Sequence, residues 1–256
     1  MAEMEGFEPP HALRRLADFE SAPFSHLGTS PERGYYTTNK VKINSKNRIE
    51  DLCNGLQYDK LIQNSKGEIS MLTLEKAKEL LAKTTTQEHL FLHAKNVMVA
   101  MGGLARHFGE DEQHWMAIGY LHDYDYEQYP EEHLQHTAEP LKEEGLTDEE
   151  IRGILAHGYG HCNDVQPLTN LEKALYTVDE LTGIVQAAAR MRPAGITDME
   201  LSSFMKKFKD KKFAAKCDRE LIKGGCEMLG MEVKDVAGIV IEAMKEYADE
   251  LQIGAK

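Results

Sequence analysis

"AIGYLHDYDYEQYPEEHLQHTAE", residues 117–139, holds the pair His122-Asp123 at the end of an apolar approach. Trp115, Ile118 and Leu121 recur at the three-residue spacing of one helix face, and His122 lies seven after Trp115 and four after Ile118. This spacing places His122 on the buried side of a helix. His133 and His136 follow shortly after. A buried imidazole or carboxylate is costly unless something compensates it, so the stretch requires a partner.

Outward from this stretch the text is helical. "TLEKAKELLAKTT" is a short amphipathic helix, and "TTTQEHLFLHAKNVMVAMGGLARHFG" carries Leu90, Val97, Met101 and Leu104 on one face with Gly109 as a stop. "DEQHWMAIGYLHD" is a third helix. "PEEHLQHTAEPLKEEG" begins with Pro130 in a favourable first-turn position, and Pro140 should kink or restart it. "TDEEIRGILAHG" opens on a Thr147/Glu150 capping box and closes at Gly158. "TNLEKALYTVDELTGIVQAAARMR" is the longest helix. "TDMELSSFMKKF" offers another capping box, Thr197/Glu200, and two final helices lie around "DRELIKGGCEMLG" and "EVKDVAGIVIEAMKEYADEL". No segment alternates like a strand, so the body is expected to be all-α.

Residues 1–68 differ. They have weak periodicity and scattered Gly, Pro, Ser and Asn, with short helices expected at "HALRRLADFE" and "RIEDLCNGLQYDKLIQN". The reading is an N-terminal extension, poorly structured and flexible or loosely docked, ahead of a domain spanning 69–256. A docked arm or dimer-forming segment is the alternative, and a homodimer is kept among the expected partners.

The 256 residues carry a formal charge of -13, of which -12 falls beyond residue 70. Such a surface excludes general nucleic-acid binding, which needs a net basic face. The four cysteines, Cys53, Cys162, Cys217 and Cys226, form no CxxC pair and read as reduced thiols. No apolar run approaches the roughly 18–20 residues of a membrane helix, and the acidic N-terminus lacks a secretory signal's apolar stretch. The expected location is cytoplasmic, with no membrane partner. No glycine-rich phosphate loop follows a strand. Cys162 adjoins His161 in sequence only, which does not make a positioned base.

Two further residues share the anomaly of His122. His93 lies between Leu90 and Val97 on the apolar stripe of its helix, and Asp179 follows Val178, four after Leu175, in mid-helix. A carboxylate there cannot cap a helix end. Three such residues on three helices, with Asp123 beside one of them, are explained together by a metal ion that takes neutral imidazole and carboxylate as ligands.

His93, then His122-Asp123, then Asp179 resembles the H…HD…D signature of the HD superfamily of metal-dependent phosphohydrolases. "GYLHDYDYE…PEEH", "GILAHG" and "ALYTVDELTGIV" extend the likeness to the small bacterial HD hydrolases, over roughly residues 70–256. The resemblance implies an HD-domain helical bundle with the metal site between helices. His93, His122, Asp123 and Asp179 match the first-metal ligands. His133 and His157 occupy the places of the histidines that hold a second metal in many members, with Asp123 then bridging the two.

Read from the residues alone, His133 is also a solvated helix-start side chain, and His157 a favourable charge at a helix end. His136 is the substitute for His133. His161, in "HGYGHC", is a candidate substrate-binding group, whereas His11, His26, His89, His107 and His114 read as surface. After the pair, "HDYDYEQYP" has neither the lysine nor the glycine-proline motif of other HD branches. The cyclic-di-GMP and dNTP branches are therefore not assigned.

The expected reaction is hydrolysis of a phosphoester or phosphoanhydride of a small phosphorylated substrate, nucleotides among the candidates, by a metal-activated water. Asp123 and His157 are the expected catalytic groups, the latter helping the leaving group or relaying a proton. One or two ions of Mn, Fe, Co, Ni or Zn suit the ligands. Arg190, Arg192, Lys206, Lys207 and Lys209 are candidates to attract the phosphate; if the lysines do so, neutralising them should raise KM. The alternatives are an HD-type di-iron oxygenase and a non-catalytic nucleotide-sensing domain.

Overall fold

The computed structural model describes residues 71–255; the expectations for residues 1–68, including their two short helices, His11 and His26, lie outside this range. Among the described residues there are nine α-helices and no strand, only an isolated bridge between Tyr159 and Asn163. The helices are α1 (Leu74–Thr84), α2 (Glu88–Phe108), α3 (Glu112–Leu121), α4 (Ala138–Glu143), α5 (Asp148–Leu155), α6 (Asn170–Arg190), α7 (Leu201–Lys209), α8 (Arg219–Leu229) and α9 (Val233–Glu246). Two 3-10 turns, Pro130–Glu132 and Ala156–Gly158, interrupt the series.

Local chemistry marks most of the boundaries. Thr73, Asp111 and Asp218 accept first-turn amides of α1, α3 and α8. Complete capping boxes open α5 (Thr147/Glu150) and α6 (Thr169/Glu172). Gly109 and Gly230 end α2 and α8 at φ +71° and +70°, the left-handed geometry that glycine adopts without strain. The start of α2 has no side-chain cap of its own. Glu127 supplies one from a distance: its carboxylate accepts from Thr86 N (2.7 Å), Gln87 N (3.1 Å) and Thr86 Oγ1 (2.6 Å).

The two 21-residue helices, α2 and α6, pack on one another. The other face of α2 is covered by α3 and α9, while α8 lies on α6 and α1 on α3. Val97, Met101 and Leu104 of α2 are buried with Ile118 and Leu121 of α3, Leu175, Leu181 and Ile184 of α6, and Val240 and Met244 of α9. Among the described residues no helix is long and apolar enough to cross a membrane.

Three expectations need correction. Residues 130–145 do not form one helix: Pro130 opens a 3-10 turn that ends at His133, Leu134 takes φ +68°, and α4 begins only at Ala138. Side-chain hydrogen bonds to Asp125 outcompete the helical ladder there. Pro140 fits in the first turn of α4, where its missing N–H leaves no bond unmade. Thr197 forms no capping box, because its hydroxyl donates to Ala194 O and the helix starts at Leu201 with Glu200 as an uncapped boundary. His114 is not a surface residue; it is half-buried, with Nδ1 3.7 Å from Glu150 Oε1.

Candidate metal centre

Five segments deliver six side chains to one place. His93 projects from α2, His122 and Asp123 follow the last turn of α3, and Asp179 sits in mid-α6. His133 closes the first 3-10 turn and His157 occupies the second. His122, Asp123 and His157 are buried, and His122 is 0 % exposed.

The donors fall into two sets. In the first, His93 Nε2 is 2.9 Å from Asp179 Oδ1, 3.2 Å from His122 Nε2 and 3.5 Å from Asp123 Oδ2. His122 Nε2 lies 3.3 Å from Asp123 Oδ2 and 3.4 Å from Asp179 Oδ1. In the second, His133 Nε2 is 3.2 Å from His157 Nε2 and 3.3 Å from Asp123 Oδ1, and His157 Nε2 is 3.8 Å from that same oxygen. Asp123 thus turns one carboxylate oxygen to each set. Donors about 2.1 Å from a common ion stand about 3.0–3.4 Å apart in octahedral or tetrahedral order, and most of these separations fall in or near that range. Triplets of ligand atoms within 4.8 Å of one another occur in His93/His122/Asp179 and in His122/Asp123/His157.

Proton bookkeeping points the same way. His122 Nδ1 donates to Gly119 O (2.8 Å), His157 Nδ1 to Ile154 O (2.6 Å) and His133 Nδ1 to Asp125 Oδ1 (2.8 Å). A neutral imidazole has one N–H, so in the neutral form that a metal requires each of the three would aim an Nε2 lone pair inward. Lone pairs facing each other at 3.2 Å repel unless a proton or cation lies between them. Among the described residues Asp123 Oδ2 is buried and accepts no hydrogen bond, an orphan that a cation would satisfy. The donors fit a transition metal of mixed nitrogen and oxygen preference, and the Nδ1 anchors are the kind that fix metal-binding histidines.

The electrostatics reflect this crowding. Burial opposes the charged imidazole of His122, yet Asp123 and Asp179 hold its pKa well above the usual histidine value. His133 goes up to about 9 because Asp123 and Asp125 outweigh its burial. His157 goes the other way, down to about 4, from burial and the neighbouring His122. Burial works against the charged form of Asp179, yet hydrogen bonding from His122 and His93 holds its carboxyl well below the carboxylate range. Asp179 is the most exposed of the six side chains, at 24 % against 0–12 % for the others, so solvent reaches the cluster on its side.

The other candidates are not among the grouped ligand atoms. His136 is half-buried, paired with Glu132 at 2.6 Å and stacked on Tyr129, so the turn turns His133 inward rather than His136. His161 is exposed in the turn after His157. Arg192 is committed to Asp198, by its guanidinium to Oδ1 (2.7 Å) and to the backbone oxygen (2.9 Å). Arg190 ends α6, eleven residues past Asp179 and thus about 16 Å along the axis. Lys206, Lys207 and Lys209 fill the last turn of α7, where positive charge meets the helix carbonyls, and Lys207 also lies over the Phe213 ring at 5.0 Å. His89 and His107 are exposed, as their spacing implies.

Two neighbours escaped the sequence reading. Asp125 is almost fully buried and anchors His133; its signal was a second carboxylate two residues past Asp123. Glu180 follows Asp179 and is pushed up to about 7 by burial and by that neighbour's charge. Nothing in its sequence context distinguishes it from an exposed helix glutamate. No protein-family model, curated protein or solved structure matches the chain, so the reading of the site rests on its own geometry.

Proposed function

We propose that the chain is a metal-dependent phosphohydrolase of the HD type, cleaving a phosphoester or phosphoanhydride of a small molecule, nucleotides among the candidates. The supporting observation is the pair of donor sets sharing Asp123, one carboxylate oxygen to each. His93, His122, Asp123 and Asp179 would hold one ion, and His133, His157 and Asp123 a second. When bound, such ions supply Lewis-acid polarisation of phosphoryl oxygens and acidify water toward neutral pH.

The protein's own part is placement. Backbone carbonyls of Gly119 and Ile154 hold the rings of His122 and His157 in one tautomer. Asp123 sets the relation between the two positions. His157 has its Nδ1 proton committed to Ile154 O and its Nε2 turned inward; of its two expected roles, ligand and proton relay, this geometry favours the ligand. The more open side, at Asp179, is where a substrate would enter.

The test is metal content of the purified protein and of Asp123→Ala, followed by hydrolysis of a generic phosphodiester and phosphomonoester with Mn added. One to two equivalents of transition metal, lost in the variant together with phosphate release, is the expected result. Metal with no hydrolysis, but iron-dependent O₂ uptake, would move the assignment to an HD-type oxygenase. Absence of metal after incubation with Mn, Fe and Zn would overturn it.

A further inference from the structure

Asp125 is 1 % exposed and lies on the turn two residues beyond Asp123. Its charge is met by three donors: Oδ1 accepts from His133 Nδ1 (2.8 Å) and Leu134 N (3.1 Å), and Oδ2 accepts from His136 N (3.0 Å). Between those donors Leu134 is held at φ +68°, a conformation side-chain-bearing residues seldom adopt. The carboxylate therefore shapes the segment that presents His133.

The inward-facing imidazoles are anchored by different means. His122 and His157 donate to carbonyls three residues back, Gly119 and Ile154, so the local helical turn orients them. His133 has φ -52° and ψ 136° and no such turn behind it. Among the described residues its Nδ1 partner is the Asp125 side chain, whose charge makes that bond stronger than one to a carbonyl. Asp125 touches the second donor set through His133.

We infer that Asp125 is a positioning residue that sets the occupancy of the second metal position alone, by locking His133 Nε2 toward Asp123 Oδ1 and His157. The inference rests on the two-position reading of the site. It makes the centre asymmetric: a first position with four donors taken from helices or helix ends, and a second with three, one of them held in a loop by a remote carboxylate.

Titration of the full-length, chelator-treated protein with Zn by calorimetry separates the two ideas. The wild type is expected to take two equivalents. Asp125→Asn should keep the first at unchanged affinity and weaken the second by about 10–100-fold, the usual cost of losing a partner of a metal-binding histidine. In a His133→Ala background the same change should add nothing.

Wild-type stoichiometry below two would sink the two-position reading, and this proposal with it. Two wild-type equivalents with both affinities unchanged in Asp125→Asn would overturn the role of Asp125 only. Equal weakening of both would also overturn it, by showing that Asp125 serves the fold rather than one position. Should the variant not fold, nitrogen-15 imidazole NMR of the Zn-loaded wild type decides: a proton on His133 Nδ1 supports the inference, and one on Nε2 overturns it.

Discussion

His133 and His157 face each other across 3.2 Å yet shift in opposite directions, the first to about 9 and the second to about 4. Both sit near 6.5 in an unfolded chain. The raised pKa of His133 contributes stability that is fully present below about 6.5 and lost as pH rises through about 9. The lowered pKa of His157 acts in reverse, contributing stability present above about 6.5 and lost as pH falls through about 4. Chelator-treated protein should therefore melt highest near pH 6–7, with Tm falling on both sides. A divalent ion takes the place of protons among these groups, so added Zn should flatten the alkaline limb. Thermal melts between pH 4.5 and 9.5, with and without Zn, check both; an alkaline limb absent without metal would contradict the electrostatics described for His133.

Two adjacent glycines show what element packing requires. In α8 a Cβ on Gly224 meets nothing within 4 Å, whereas one on Gly225 would lie 2.2 Å from Thr177 Oγ1 and 3.1 Å from Thr177 Cα of α6. Alanine favours a helix interior over glycine by about 1 kcal/mol. Gly224→Ala should gain up to that amount. Gly225→Ala should lose about 1–3 kcal/mol, because α8 must move off α6, the helix that carries Asp179. Denaturant unfolding of both variants reads the contrast, and equal effects would show that the α6–α8 crossing tolerates a methyl group. The α6 capping box is a second element-scale feature. Thr169→Ala should cost about 1 kcal/mol. Glu172→Ala should cost more, since Glu172 is buried, accepts from Leu168 N and pairs with Arg152 at 2.6 Å.

At the scale of the molecule, the centre ties together α2, α3, α6 and two turns. Ligand binding to the folded state alone stabilises it by mass action, about 2.7 kcal/mol at a hundredfold excess over Kd. Saturating Zn or Mn should accordingly raise Tm by several degrees, and His93→Ala or Asp179→Ala should remove most of that rise. An unchanged Tm on metal addition would mean that the cluster is a hydrogen-bonded core. The acidic surface adds no competing site of comparable burial among the described residues: the grouped His/Asp ligands all belong to this centre.

What the sequence by itself determined is the helical body, most of its boundaries and the four residues His93, His122, Asp123 and Asp179. Helices write their buried face into a 3.6-residue period, so a polar group on that face stands out, and caps and terminal glycines act within a few residues of chain. The irregular segments obey no such period. Only the tertiary structure decided that Pro130 starts a turn and not a helix, that His133 faces inward while His136 faces out, and that Asp125 holds His133 in place. Those outcomes depend on hydrogen bonds between groups 8 to 11 residues apart across a loop, whose geometry no local preference encodes. The position of Asp123 between the two donor sets, which the resemblance implied, also requires five segments to converge, and convergence is a property of packing.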